Sequence, residues 1–113
     1  MKQITAIIRP HRLDEVEAAL HEQPHLPGFT ILPSLGHPRG RGNDHRYAGD
    51  EWNPDSHQQM VLLVFCADED AADIVNAIAK AAHTGLSGDG IIGVIELLDV
   101  VRIRTGERAN LAL

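Results

Sequence analysis

The sequence holds a single cysteine, Cys66, so no intrachain disulfide can form and a reducing compartment is expected. Basic residues are outnumbered ten to sixteen by acidic ones, and the formal charge of −6 leaves no footprint for a nucleic acid. No apolar run approaches the roughly 20 residues that a membrane-spanning helix needs, and the N-terminus lacks a signal-type apolar core. The expected location is the cytoplasm. Tandem repeats, low-complexity tracts and interdomain linkers are missing as well. At 113 residues, 43% hydrophobic and 23% charged, the chain has material for one domain, residues 1–113, and not for two.

What is present reads as alternating short elements. Gln3 to Arg9 alternates in the manner of a strand, and Pro10 ends it. A helix is predicted from about Arg12 to His21, with Leu13, Val16 and Leu20 on one stripe and Asp14, Glu15 and Glu17 on the wet side. Phe29 to Leu35 is predicted as a second strand, with Pro33 confining part of it to an edge or bulge. Met60 to Cys66 is apolar throughout, which predicts a strand covered on both faces, one of them by another subunit. A second helix follows, with Asp68 expected as N-cap, a buried stripe of Ala71, Ile74, Val75, Ile78 and Ala82, and Gly85 expected as its C-terminal stop. Ile91 to about Leu97 reads as the last full strand, and Val100 to Thr105 as a further extended run, followed by a patternless tail to Leu113. Strand, helix, strand, long loop, strand, helix, strand is the split βαβ order of an α+β ferredoxin-like fold. One face of such a sheet lies bare, and oligomerisation is the simplest cover.

Three stretches carry chemistry. Thr84-Gly85-Leu86-Ser87-Gly88-Asp89-Gly90 packs three glycines and a serine between a helix and a strand, a composition suited to a concavity of backbone N–H groups that takes a phosphate. Arg102 and Arg104 alternate along the extended run and so are expected on one face, as bidentate partners for phosphate oxygens. Gly36 to Gln59 has no period of either kind, and a loop of that length in a small domain is usually functional. Within it lie His37, His45 and His57, with Asp44, Asp50, Glu51 and Asp55, donors that suit a divalent transition metal. Their spacing matches no compact metal signature, so a solvated polar loop is the plainer reading of the same residues. Trp52, beside Tyr47 in this polar segment, suits an interface anchor, although packing on its own loop explains it equally. Asp89 has histidines for company, yet the chain contains no nucleophile–base pair and no catalytic metal spacing, and it is expected not to be an enzyme.

Ile7-Ile8-Arg9-Pro10 with Leu13-Asp14-Glu15-Val16, Thr84-Gly85 with Gly88-Asp89-Gly90, and Val101-Arg102-Ile103-Arg104-Thr105-Gly106-Glu107 together resemble the PII signalling proteins over nearly the whole chain. The resemblance implies a homotrimer of ferredoxin-like subunits with an adenine nucleotide, ADP, AMP or ATP, in each intersubunit cleft. By position it assigns Gly88, Asp89 and Gly90 to the phosphate turn, residues 84–91. Arg102 and Arg104 are assigned to the phosphates from the C-terminal stretch, residues 100–113, and Thr30, Gly36 and Thr84 to the pocket lining. Residues 36–59 match the T-loop, which reaches out to a regulated enzyme or membrane transporter.

The chain also departs from that pattern. Ile91 stands where the family usually has a lysine after Gly-Asp-Gly, which removes a phosphate contact and makes ADP or AMP as plausible as ATP. Gly40 and Gln59 stand at the positions of the 2-oxoglutarate ligands, and without the ammonium a dianionic 2-oxoacid is poorly held. Trp52 replaces the tyrosine that some members have modified. Two readings follow: a nucleotide-responsive regulator, or a metal sensor on the same fold using His37, His45 and His57 and tied to metal transport.

Overall fold

The computed structural model describes residues 1–37 and 57–113. Four strands, β1 (Lys2–Ile8), β2 (Phe29–Leu35), β3 (Gln58–Cys66) and β4 (Gly90–Glu96), alternate with two α-helices, α1 (Leu13–His21) and α2 (Asp68–Ala82). The sheet order is β2-β3-β1-β4 with every neighbouring pair antiparallel, the ferredoxin-like α+β arrangement. Pro33 sits comfortably in β2 because that strand is an edge, paired only to β3.

The core lies between the sheet and the helices. Ile4, Ala6 and Ile8 of β1 and Leu62, Val64 and Cys66 of β3 meet Val16 and Leu20 of α1 and Ile74 and Ile78 of α2. These alternating and helical spacings are those the sequence dictates. The expected burial of β3 on both faces does not hold within the subunit. Only Leu62, Val64 and Cys66 are buried, and Phe65 on the far face is exposed. Ile91 and Ile95 of β4 and Leu32 of β2 share that uncovered face by register and are exposed too. Among the described residues, no helix is long and apolar enough to cross a membrane.

Both ends of α2 differ from expectation. Ala67 holds the N-cap position and no side chain caps the helix. Asp68 begins the helix proper, where its carboxylate accepts from the Met1 amine at 2.6 Å and pairs with Lys2 at 3.6 Å, so it is not available as a cap. At the other end the helix stops at Ala82, with His83 already extended. Gly85 is therefore not its stop. Arg12 supplies the closure instead, donating from Nε and Nη2 to the Ala81 carbonyl at 3.0 and 2.7 Å.

Candidate functional site

The ladder fixes where the glycine turn emerges. Ile8 faces Met60 on one side and Gly90 on the other, and Met60 faces Pro33. The end of the turn and the base of the long loop thus lie at one end of the sheet. At that base Gly36 N–H donates to the His57 carbonyl at 2.9 Å, and the Gln59 side chain covers the space a Gly36 side chain would need. Gly36 and Gln59, both singled out in the sequence, are therefore neighbours. Thr30 is exposed on β2, opposite Leu63 on the uncovered face.

The turn is tied from within. Asp89 accepts hydrogen bonds from the Thr84 N–H at 2.8 Å, the Gly85 N–H at 2.9 Å and the Thr84 hydroxyl. Arg9 Nε adds a fourth at 3.0 Å. These donors, the Thr84 hydroxyl first and its N–H next, hold the Asp89 carboxyl well below the usual carboxylate range. The Thr84 hydroxyl in turn accepts from the Leu86 N–H at 3.2 Å. Thr84 and Asp89 are thus the knot of the turn, and the N–H groups of Thr84 and Gly85 are spent on it. The N–H groups of Ser87 and Gly88 take no part in this knot, and residues 87–88 form the turn itself.

Backbone geometry explains the glycines. Gly88 and Gly90 have φ of 96° and 107°. A Cβ on Gly90 would lie 1.8 Å from the Ile7 carbonyl oxygen, so only glycine lets the turn enter the sheet there.

The arginine run is not the extended strand expected. Val101 forms one bridge with Arg108, and residues 103–105 turn the chain back through Gly106 at φ 74°. Arg102 N–H donates to the Glu107 carbonyl at 2.9 Å, and its Nη2 reaches the Leu113 carbonyl at 3.2 Å. The Thr105-Gly106 pair favours this reversal, with the Thr105 hydroxyl accepting from Glu107 N–H at 3.2 Å. The alternation argument for Arg102 and Arg104 therefore fails.

Their placement matters more. β4 starts beside Ile8 at Gly90 and ends beside Lys2 at Glu96, a rise of about 20 Å at strand spacing. The segment that follows stays at that far end, since Leu113 shares a groove of about 440 Å³ with Cys66, Ala67, His25 and Asp70. Within one subunit the turn and the arginines are at opposite ends of the sheet. Ile103, between the arginines, and Leu98, ahead of them, are 99% and 98% exposed.

His37 and His57 stand at the two ends of the long loop, next to the Gly36–His57 bond. Among the described residues, no three His, Cys, Asp or Glu side chains gather closely enough to hold a metal. His45, Tyr47, Trp52 and Gly40 lie outside the described residues. Sequence reasoning missed Arg9 and Arg12 as the residues that fasten the turn and the helix before it. Arg9-Pro10 was visible as a motif, but nothing local marks its partners some 80 positions away.

Fold and turn together define a ferredoxin-like subunit with a tied glycine turn at one sheet end and a basic hairpin at the other. The chain belongs to the family described as nitrogen regulatory protein P-II, whose family model matches residues 1–107. It is 44% identical over 107 residues to a nitrogen regulatory protein P-II of Rhizobium meliloti, 95% of both chains. Over the full length of both chains it is 42% identical to a P-II protein of Azospirillum brasilense and 37% to nitrogen regulatory protein GlnK of Escherichia coli. These relatives are regulators and not enzymes, and the chain is a member of a signalling family.

Proposed function

We propose that this protein is a cytoplasmic regulator that binds an adenine nucleotide, ADP, AMP or ATP, in clefts between the protomers of a homotrimer. The observation that carries this reading is the separation of the two halves of the site. The turn at Gly88, Asp89 and Gly90 is complete in one subunit, while Arg102 and Arg104 project from the opposite end of the sheet. A neighbouring subunit brings the two together if its hairpin docks against this turn. The uncovered apolar face and the exposed Leu98 and Ile103 supply surface for that association. Thr30, Gly36 and Thr84 complete the pocket, with Thr84 acting through the fold of the turn.

Nucleotide in the cleft then biases the loop at residues 36–59, which starts from the same sheet end as the turn. The loop docks on a regulated protein, an enzyme or a membrane transporter, through Tyr47 and Trp52. Such control requires that the nucleotide bind the two loop states with different affinity. Ile91 leaves the turn without a lysine, which weakens the hold on a third phosphate and puts ADP and AMP on a par with ATP. Calorimetric titration of the three nucleotides tests the reading. Arg102→Ala and Arg104→Ala should each weaken binding roughly tenfold or more while leaving the fold intact. Absence of binding to the wild-type protein at millimolar nucleotide ends it.

A further inference from the structure

The glycine turn carries a full negative charge of its own, and a phosphate approaching Ser87, Gly88 and Asp89 must meet it. The only cation in contact with the turn is Arg9, among the described residues. Its Nε donates to Asp89 Oδ1 at 3.0 Å, and its Nη2 donates to the Ser87 carbonyl on the other side of the turn. The guanidinium plane lies over Gly88, with Nη2 3.2 Å and Nη1 3.7 Å from where a Cβ would stand. Arg9 and Asp89 are each about one quarter exposed, so the pair is shielded by its surroundings more than a surface pair would be.

From this geometry we infer that Arg9 is the positioning residue of the phosphate turn, cancelling the Asp89 charge and pinning Ser87 so that the turn accepts an anion. The inference rests on the nucleotide reading above and adds to it the residue that makes the turn fit for phosphate. Two features give Arg9 this role. The turn has no cation of its own, because Ile91 follows Gly90. The guanidinium fork also spans two acceptors at once, one carboxylate and one carbonyl, which a lysine ammonium at the end of a flexible stem holds less well. Two of its three nitrogens serve the turn, and Nη1 remains directed along the Gly88 side.

The test compares wild type, Arg9→Lys, Arg9→Gln and the Arg9→Gln/Asp89→Asn pair, with Asp89→Asn as reference. ADP and inorganic pyrophosphate are titrated by calorimetry, and folding is followed by circular dichroism. Arg9→Gln should weaken both ligands at least tenfold, and Arg9→Lys should recover part of that loss. In the Asp89→Asn background, where no carboxylate needs cancelling, the further loss from Arg9→Gln should shrink to threefold or less. Shrinkage shows that Arg9 acts through Asp89, and an unchanged circular dichroism spectrum separates that action from loss of the fold. Folded Arg9→Gln protein with wild-type affinity overturns the inference, and so does a loss that is undiminished in the Asp89→Asn background. If Arg9→Gln does not fold, Arg9→Lys decides alone, and wild-type affinity for pyrophosphate in that variant counts against the fork. If the wild-type protein binds neither ligand, the nucleotide reading fails by itself. Hydrogen exchange then decides on Arg9: Thr84 and Gly85 amides should exchange at least tenfold faster in Arg9→Gln, and unchanged protection overturns the assignment.

Discussion

The turn at residues 84–90 and the hairpin at residues 97–113 are both largely exposed, yet they are held in opposite ways. The turn is fastened by side chains from three places in the chain, Arg9, Thr84 and Asp89, and by a glycine that no other residue can replace. The hairpin is held mainly by its own backbone, through Arg102 to Glu107, Gly106 to Arg102 and Ala109 to Val100, with the Arg108–Asp99 pair beside them. Its apolar side chains, Leu98, Ile103 and Leu111, face outward. One region is finished within the subunit. The other leaves its apolar side chains exposed. On the proposed function, a binding site split in this way forms only on assembly, which would link ligand binding to oligomeric state.

The sharpest way to break this contrast is to give each region one methyl group. Gly90→Ala places a Cβ 1.8 Å from a backbone oxygen at φ 107°, a clash that only movement of β1 or β4 relieves. A loss of about 3 kcal/mol or more is expected, enough to lower the thermal midpoint by roughly 10 °C or more. Gly106→Ala meets nothing within 4 Å, and its cost is the left-handed backbone alone at φ 74°, about 1 to 2 kcal/mol. Equal destabilisation in thermal melts would mean the hairpin is as constrained as the turn.

Next in size is a test of the division itself. Asp89→Ala opens the turn and Arg102→Ala removes one of the proposed phosphate partners, so each variant alone should bind ADP at least tenfold more weakly than wild type. Subunits of the two variants, unfolded and reassembled together, should regain a population of wild-type-affinity sites, because an intact turn then meets an intact hairpin from a neighbour. No recovery in mixed trimers places both halves of the site in the same subunit.

Acid separates the regions more gently. The Asp89 carboxyl titrates lower in the folded chain than in the unfolded one, where an ordinary aspartate titrates near pH 3.9. Its stabilising effect is therefore complete above that unfolded value and is lost as pH falls towards the depressed folded one. Protection of the Thr84 and Gly85 amides, corrected for intrinsic exchange, should persist at pH 4 and fail only under strongly acid conditions. Loss of that protection between pH 6 and 5 would mean the carboxylate is not held as described.

Much of this was legible in the residues, and the failures have physical causes. The helix stripes and the alternation of β1 are local periodicities, and they place the core correctly because burial acts on each face separately. The glycine turn was legible because positive φ demands glycine. The orientation of Asp89 was not. A carboxylate in a glycine turn reads the same whether it faces a ligand or its own backbone, and only the positions of Thr84 and Arg9 decide it. The arginine run misled for a related reason. Val-Arg-Ile-Arg has the alternation of a strand, but two-sided alternation does not choose between a ladder and the limb of a hairpin when a Thr-Gly reversal follows. The apolar run of β3 predicts two covered faces, and within the subunit only one of them is covered, because an unbroken apolar run does not say which chain supplies each cover.

The smallest effect concerns Cys66, and it reports on how firmly the tail is attached. The thiol is buried at the end of β3, and burial raises its pKa, so at neutral pH it stays protonated and unreactive. It lines the groove that Asn110 and Leu113 close, below the short helical turn Ala109–Ala112. If that tail is held only by its backbone, by Ala112 and by the Arg102 bond to Leu113, it opens locally far more often than the sheet unfolds. Labelling of Cys66 by a thiol reagent should then exceed the rate of global unfolding and change little in low urea, since local opening exposes little surface. Arg102 lends the tail one bond, at Leu113, so Arg102→Ala should speed labelling by a few-fold at most. Labelling that instead tracks global unfolding across the urea range would show the tail locked to the core, and the hairpin region would then be as finished within the subunit as the turn.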